Sequence, residues 1–373
     1  MGTPLVRIRL AVMSWFSKLT VRGRTLLVGS AFTVVFVAVG SAVPIPYVKL
    51  GPGVTINTLG SYDGSEVFTF TGNDIPASVN ENFGEGSHLN MTTVSVTDGI
   101  SLFGAIALWA SGKYTVTPRD EIYPPDKTTD EVKAENARTF LESQSFAQTA
   151  ALRYLKYPEV AYVQQVGTGS PSDGRLEVQD RILSIDGAAV TDLDSLQQVM
   201  EKTTPGQVVT VRVERAGTDG KLAELDEKVT LQGDPEKKTT QGYLGIVTTQ
   251  RPEAPFQIHN SLETSGIGGP SAGLMFTLGL IDRLTPGDLT GGNFIAGTGT
   301  IDIDGTVGPI GGILLKLIAA KDVGASYFLV PAANCEEAVT RIPDGLHLAK
   351  VGSLDEAMAA VTAISKGEVP ASC

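Results

Sequence analysis

From Ile313 to Ala320 the chain reads Ile-Leu-Leu-Lys-Leu-Ile-Ala-Ala, a segment apolar nearly all round that carries one lysine. A helix of that composition has no face to turn to water and reads as buried. On the lysine's own face, three and four residues away, lie Ile313, Ala319 and Ala320. None of them offers a counter-charge. Burial without one disfavours the ammonium and lowers the lysine pKa. A lysine held neutral can take a proton from a serine hydroxyl, which is the Ser-Lys form of nucleophilic catalysis. The alternative is a lysine whose stem lies along apolar surface while its head reaches water.

A serine stands upstream in Gly268-Gly269-Pro270-Ser271-Ala272-Gly273, which leads into the largely apolar stretch Leu274–Ile281. The pattern predicts a glycine-rich turn into a helix, with Pro270 near the first helical position. Such a start surrounds Ser271 with unpaired backbone N–H groups, where negative charge is stabilised. The local alternative is a serine that only caps a helix. Asp304-Gly305 predicts a hairpin turn between Thr300–Ile303 and Thr306–Pro309.

These residues resemble the proteolytic domain of Lon-type serine peptidases. The signatures are Gly269-Pro270-Ser271-Ala272-Gly273, then Thr298-Gly299, then Gly308-Pro309-Ile310-Gly311-Gly312 followed by Lys316. The resemblance implies Ser271 as nucleophile, Lys316 as general base, Thr298 as a supporting residue, and an oxyanion turn at Gly269, Pro270 and Ala272. Lon enzymes commonly carry Asp two residues before the Pro, where this chain has Gly268. His259 also precedes the serine, but a Ser-Lys dyad needs no histidine.

A net charge of −12 argues against nucleic acid as a partner. The sequence has no His-Glu-x-x-His, no paired Cys-x-x-Cys and no Gly-x4-Gly-Lys-Ser/Thr. No metal, no cofactor and no nucleotide-driven motor in this chain are therefore expected.

Residues 1–24 carry Arg7, Arg9, Lys18, Arg22 and Arg24 and no acid; residues 25–43 carry no charge at all. As a helix, Thr25–Val43 spans about 28 Å, close to the hydrocarbon core of a bilayer. A transmembrane anchor is expected, with the basic side in the cytoplasm and the rest outside. A cleaved signal peptide is the alternative, with Ser41-Ala42-Val43 a poor cleavage site.

Residues 44–157 read as a small α+β platform, with strands over Glu66–Thr71 and Leu89–Val96 and a helix capped by Asp98 running through Ala110. Thr128-x-x-Glu131 predicts a capping box opening a long helix that ends before Pro158. Residues 159–233 resemble a PDZ domain, on Gly169–Leu176, Asp180–Gly187, a helix over Asp194–Lys202 and a strand over Val208–Arg215. Gln179 stands where PDZ domains usually have Gly, and no carboxylate-binding loop is visible before Val163. Such domains add a peptide as an extra strand; the alternative is a domain that only packs against the protease. Asp234–Gln241 is a polar linker. Residues 242–364 form the expected Lon-type α+β proteolytic domain, with a strand at its start over Tyr243–Thr249, and 365–373 a tail. The fold class is thus α+β multidomain with an N-terminal transmembrane helix.

The arrangement is similar to the YlbL-like membrane-anchored PDZ–Lon proteases. That resemblance implies an outward-facing, ATP-independent serine endopeptidase acting on protein or peptide substrates, with a PDZ ligand peptide. A different class of reading is a PDZ adaptor with a vestigial protease. Lon proteolytic domains assemble as rings, which leaves a homo-oligomer open. The only two cysteines, Cys335 and Cys373, fall in the expected outward part, where a disulfide can form.

Overall fold

The computed structural model of the chain describes residues 20–80, 87–217, 222–235 and 240–373. Most of the basic N-terminal segment, with Arg7, Arg9 and Lys18, lies outside the described residues, as do residues 236–239 of the polar linker.

In chain order the elements that matter here are helix α1 (Val21–Ala42), strands β1 (Tyr47–Asn57), β2 (Phe68–Gly72) and β3 (His88–Thr97), helix α2 (Leu102–Ser111), strand β4 (Thr115–Pro118) and helix α3 (Thr129–Tyr154). There follow β5 (Glu159–Val166), β6 (Arg181–Ile185), α4 (Leu193–Met200), β7 (Val208–Ala216), β8 (Leu222–Thr230), β9 (Ile246–Pro252) and β10 (Phe256–Asn260). The last stretch holds α5 (Gly273–Leu284), β11 (Phe294–Gly297), β12 (Thr300–Ile301), β13 (Val307–Gly308), α6 (Ile313–Asp322), β14 (Tyr327–Pro331), β15 (His347–Val351) and α7 (Leu354–Ser365).

The chain divides into two compact units, one of residues 1–54 and 93–133, the other of residues 55–92 and 134–373. The borders fall inside β1, β3 and α3. This departs from the expected platform over 44–157. The reason is pairing: His88–Met91 run parallel to Phe294–Gly297, and Phe68–Gly72 pair antiparallel with Phe256–Asn260. Local alternation shows that these segments are strands but not which sheet they join.

In the first unit α1 is 22 residues long, about 33 Å as a helix, and is the one described helix long and apolar enough to cross a membrane. Tyr47–Leu50 pair antiparallel with Thr115–Pro118. The cap of α2 is not Asp98. Ser101 accepts the Gly104 N–H at 3.2 Å, whereas Asp98 pairs with Arg119 at 2.9 Å. The capping box of α3 forms as expected: Thr128 Oγ1 accepts from the Glu131 N–H, and Glu131 Oε2 accepts from the Thr128 N–H.

The second unit contains two sheets. The first takes β5–β9 in the order β8-β7-β6-β5-β9, with a short strand at Ala188–Ala189 beside β6. Its core is Val163, Ile182, Ile185, Val209, Val211, Val213 and Leu231, joined by Leu196 of α4, a helix whose N-terminus is closed by a capping box of Asp192 and Ser195. β9 falls within the stretch read as the start of the protease, yet it pairs with β5 from Ile246↔Val166 to Pro252↔Glu159 and forms an edge of this sheet. Gln179 sits at φ +77, the left-handed backbone that explains the glycine usual at that position.

In the other sheet β15, β14 and β11 run parallel, and β11 continues to His88–Met91 of β3. The helix α5 is buried along its whole length. Its Phe276 meets Phe68 and Phe140 edge-on, with ring centroids 6.0 and 5.7 Å apart. The predicted hairpin closes as β12–β13, turning at Gly305. Cys335 and Cys373 are joined by a disulfide, and near it the Lys350 N–H donates to Ala371 O at 2.8 Å.

Candidate active site

Three elements of the second unit converge on the Lys316 ammonium. α6 begins at Gly312, whose φ of +70 reverses the chain, and places Lys316 one turn in, with only 2% of its surface exposed. Lys316 Nζ lies 2.8 Å from Ser271 Oγ, 2.9 Å from Thr298 Oγ1 and 2.9 Å from Thr92 O. The structure thus brings Ser271, Lys316 and Thr298 together. Burial pushes the lysine down from 10.5 to about 7.

The hydrogen-bond directions fix what a neutral lysine does here. Thr92 O can only accept. The Thr298 hydroxyl donates its proton to Ser271 O at 2.9 Å, so towards Lys316 it must accept. A neutral amine has two N–H bonds and one lone pair. With both N–H bonds committed, the lone pair is left facing the Ser271 hydroxyl. Proton transfer from Ser271 to Lys316 then needs no rearrangement.

Ser271 lies in the turn just before α5, not inside the helix as the proline pattern suggests; the N-cap is Ala272. Three contacts hold that turn. The Gly299 N–H donates to Ser271 O at 2.9 Å, the Gly269 N–H donates to Asn136 O at 2.8 Å, and Ser143 Oγ donates to Pro270 O at 2.9 Å. Gly269 sits at φ +86, so the turn needs glycine there. Of the expected oxyanion residues, Gly269 has its N–H committed and Pro270 has none. Ala272 remains, and Ser271's own N–H joins it; among the described residues neither of these two has a protein acceptor. Among the described residues no hydrogen bond joins His259 to the three central residues, and its Nε2 lies 2.9 Å from Thr71 Oγ1. Among the described residues no group of His, Cys, Asp or Glu could hold a metal ion.

Sequence profiles of two families match this chain. That of the PDZ domain matches residues 133–229, and that of the Lon protease (S16) C-terminal proteolytic domain matches residues 243–363. The chain carries a PDZ domain and a Lon-type proteolytic domain. It is 27% identical over 190 residues to the Lon protease of Azospirillum brasilense, covering 50% of this chain and 22% of that one. Over 92 residues it is 34% identical to Lon protease 2 of Bacillus subtilis, covering 25% and 16%. Over 135 residues it is 32% identical to the Lon protease of Phenylobacterium zucineum, covering 35% and 17%. The chain therefore spans about a fifth of the length of these relatives. The PDZ match begins within α3 and stops before β9, so the edge strand of the PDZ sheet lies in the range matched by the Lon profile.

Gly268, where the resemblance to Lon enzymes expects Asp, leaves no room for a side chain. A Cβ at position 268 would lie 2.8 Å from the Asn136 Cβ. The helix α3 occupies that space and supplies the contacts to Gly269 and Pro270. Three participants were not legible from sequence. Thr92 and Asn136 contribute backbone carbonyls, which leave no signature, and Ser143 is an ordinary serine on a helix. Removing the Ser143 contact, as Ser143→Ala, is expected to cost about 1 kcal/mol of hydrogen bonding. If that loss falls on the nucleophile turn, kcat drops by up to about fivefold with KM unchanged. Steady-state kinetics on a short peptide checks the split; a rise in KM alone would place Ser143 in substrate binding instead.

Proposed function

We propose that this chain is a membrane-anchored serine endopeptidase that hydrolyses peptide bonds in proteins outside the cytoplasm without ATP. The observation that carries the reading is the 2.8 Å contact between a buried Lys316 and Ser271. Ser271 Oγ attacks the substrate carbonyl as Lys316 takes its proton. The oxyanion forms beside the N–H groups of Ser271 and Ala272, each donor being worth on the order of 3 kcal/mol. Lys316 returns the proton to the leaving amine, and water resolves the acyl-enzyme along the same path. Thr298 orients the lysine and is a positioning residue.

Membrane anchoring rests on α1, with the basic residues before it on the cytoplasmic side. Freedom from ATP rests on chemistry that consumes no nucleotide and on a sequence with no phosphate-binding loop. Substrates are accordingly extended or unfolded segments. The protein in vesicles, supplied with an unfolded polypeptide and no nucleotide, is expected to cleave it, and Ser271→Ala is expected to be inert. Cleavage that requires added ATP, or that survives Ser271→Ala, counts against the proposal.

The PDZ domain selects substrates in this reading. The open edge of β9, with α4 alongside, offers a strand-addition site: the Leu193 N–H at the start of α4 donates to Gln250 on β9. Excess of an extended peptide able to pair as a strand is then expected to slow cleavage of a protein substrate severalfold and to leave a short chromogenic substrate unaffected. Competition assays on both substrates decide it. Deleting residues 159–233 is a poorer test, because it strips β9 of its partner strand.

A further inference from the structure

The helix α2 is ten residues, Leu-Phe-Gly-Ala-Ile-Ala-Leu-Trp-Ala-Ser, with no charged side chain. A water-facing helix of that composition would bury a broad face. Here only Ala105 is buried, while Ile106 is 52% and Trp109 75% exposed. A contiguous exposed apolar surface of this kind marks an interaction site.

What covers it is set by where α2 sits on α1. Phe103 packs into the only buried position of α1: a Cβ on Gly40 would lie 2.6 Å from the Phe103 ring. The Phe36 and Phe103 rings meet edge to face at 5.5 Å. The start of α2 is tied to the chain leaving α1, since the Ile45 N–H donates to Ile100 O at 2.9 Å and Pro44 bridges Ser101. Phe36 and Gly40 belong to the last two turns of α1, and Phe36 lies about 9 Å along the axis from Ala42. If α1 spans the bilayer, its neighbour lies about 5–10 Å deep, at the boundary of headgroups and acyl chains where interfacial helices lie. Tryptophan is enriched at that level. Cations flank it as well: Lys113 follows α2 by two residues, and Lys49 stands over the Tyr114 ring at 5.0 Å.

We propose that α2 is a second membrane-contacting element, lying in the lipid interface with Ile106 and Trp109 turned into the acyl region. The inference rests on the reading of α1 as a spanning helix. Its occupant is lipid rather than a second protein surface, because the exposed face of α2 is continuous with Phe36 and Val39 of α1, themselves 57% and 51% exposed and already in lipid on that reading. The anchor is then a helix pair, and the first unit is held at the bilayer surface by two segments.

The test uses the full chain in vesicles of neutral and anionic phospholipid. A single cysteine is introduced as Ile106→Cys or Val34→Cys and labelled, without reductant, with a polarity-sensitive fluorophore. The unsubstituted protein sets the background. Spin-labelled lipids with shallow or deep quenchers then report depth. The label at 106 is expected to shift to the blue and to lose more emission to the shallow quencher; that at 34 is expected to lose more to the deep one. Quenching at 34 but none at 106 overturns the proposal while leaving α1 as a span. Quenching at 106 but none at 34 removes the spanning reading, and with it the helix pair proposed here, while leaving α2 in contact with lipid. A blue-shifted label at 106 that no lipid quencher reaches overturns the proposal, because protein then covers the helix.

Discussion

Lys316→Arg is expected to remove hydrolysis as completely as Ser271→Ala, each by about three orders of magnitude or more in kcat/KM. Arginine preserves charge and approximate length, so a lysine acting only as a cation would tolerate the change. A lysine acting as a base would not, because the guanidinium keeps its protons throughout the working range. The three oxygens around Lys316 Nζ, namely Ser271 Oγ, Thr298 Oγ1 and Thr92 O, suit a compact amine at 2.8–2.9 Å. A permanent charge in a site 2% exposed also threatens folding, by several kcal/mol. Lys316→Met separates the two effects, since it is neutral, unbranched and of similar length. It is expected to fold and to be as inert as Ser271→Ala. The double variant is expected to be little worse than either single one, because nucleophile and base act as one unit. Circular dichroism and burst-phase kinetics on the purified variants check both points.

Replacing Lys316 with Met also changes how stability depends on pH. The folded lysine titrates at about 7 and the unfolded one at 10.5. Between those values the unfolded chain binds the extra proton, so the stability of the natural protein rises with pH across that window. Below about 7 both states are protonated and the burial penalty is present in full. Above 10.5 neither is, and the penalty is gone. The window corresponds to a difference on the order of 5 kcal/mol. Met carries no charge at any pH, although it leaves Thr92 O, Thr298 and Ser271 without their shared partner. The stability of Lys316→Met relative to the natural protein is therefore expected to fall by several kcal/mol between pH 7 and 10, whatever its sign at the start. Denaturant unfolding at several pH values measures it. A pH-independent difference would mean that Lys316 titrates near its ordinary value.

The parts of this site that sequence reveals are side chains that are out of place. A lysine in an apolar helix is conspicuous, and so is a serine in a glycine-rich turn. Thr92 is equally close to Lys316, yet it acts through a carbonyl that every residue possesses. The α+β class, the PDZ domain and the Lon-type domain were readable because their motifs are local. Sheet membership was not. β9 alternates as any strand does, and only its ladder to β5 shows that it completes the PDZ sheet. The same holds for β3, whose first half extends the sheet carrying β11. Gly268 stands out in the sequence without a reason; in the fold it lies against Asn136, more than a hundred residues earlier in the chain. Asp98 had the right residue type for a cap, but an arginine 21 positions later engages it and Ser101 caps the helix instead.

The claim that a neutral Lys316 is the base for Ser271 is tested most directly by the pH dependence of kcat/KM on a short peptide whose own groups do not titrate between pH 5 and 9. The free enzyme's base controls that parameter. Activity is expected to rise with pH through a single ionisation near 7, where burial places the lysine, and to level off above it. A profile that is flat across this range, or one that keeps rising toward the ordinary lysine value of 10.5, would contradict it.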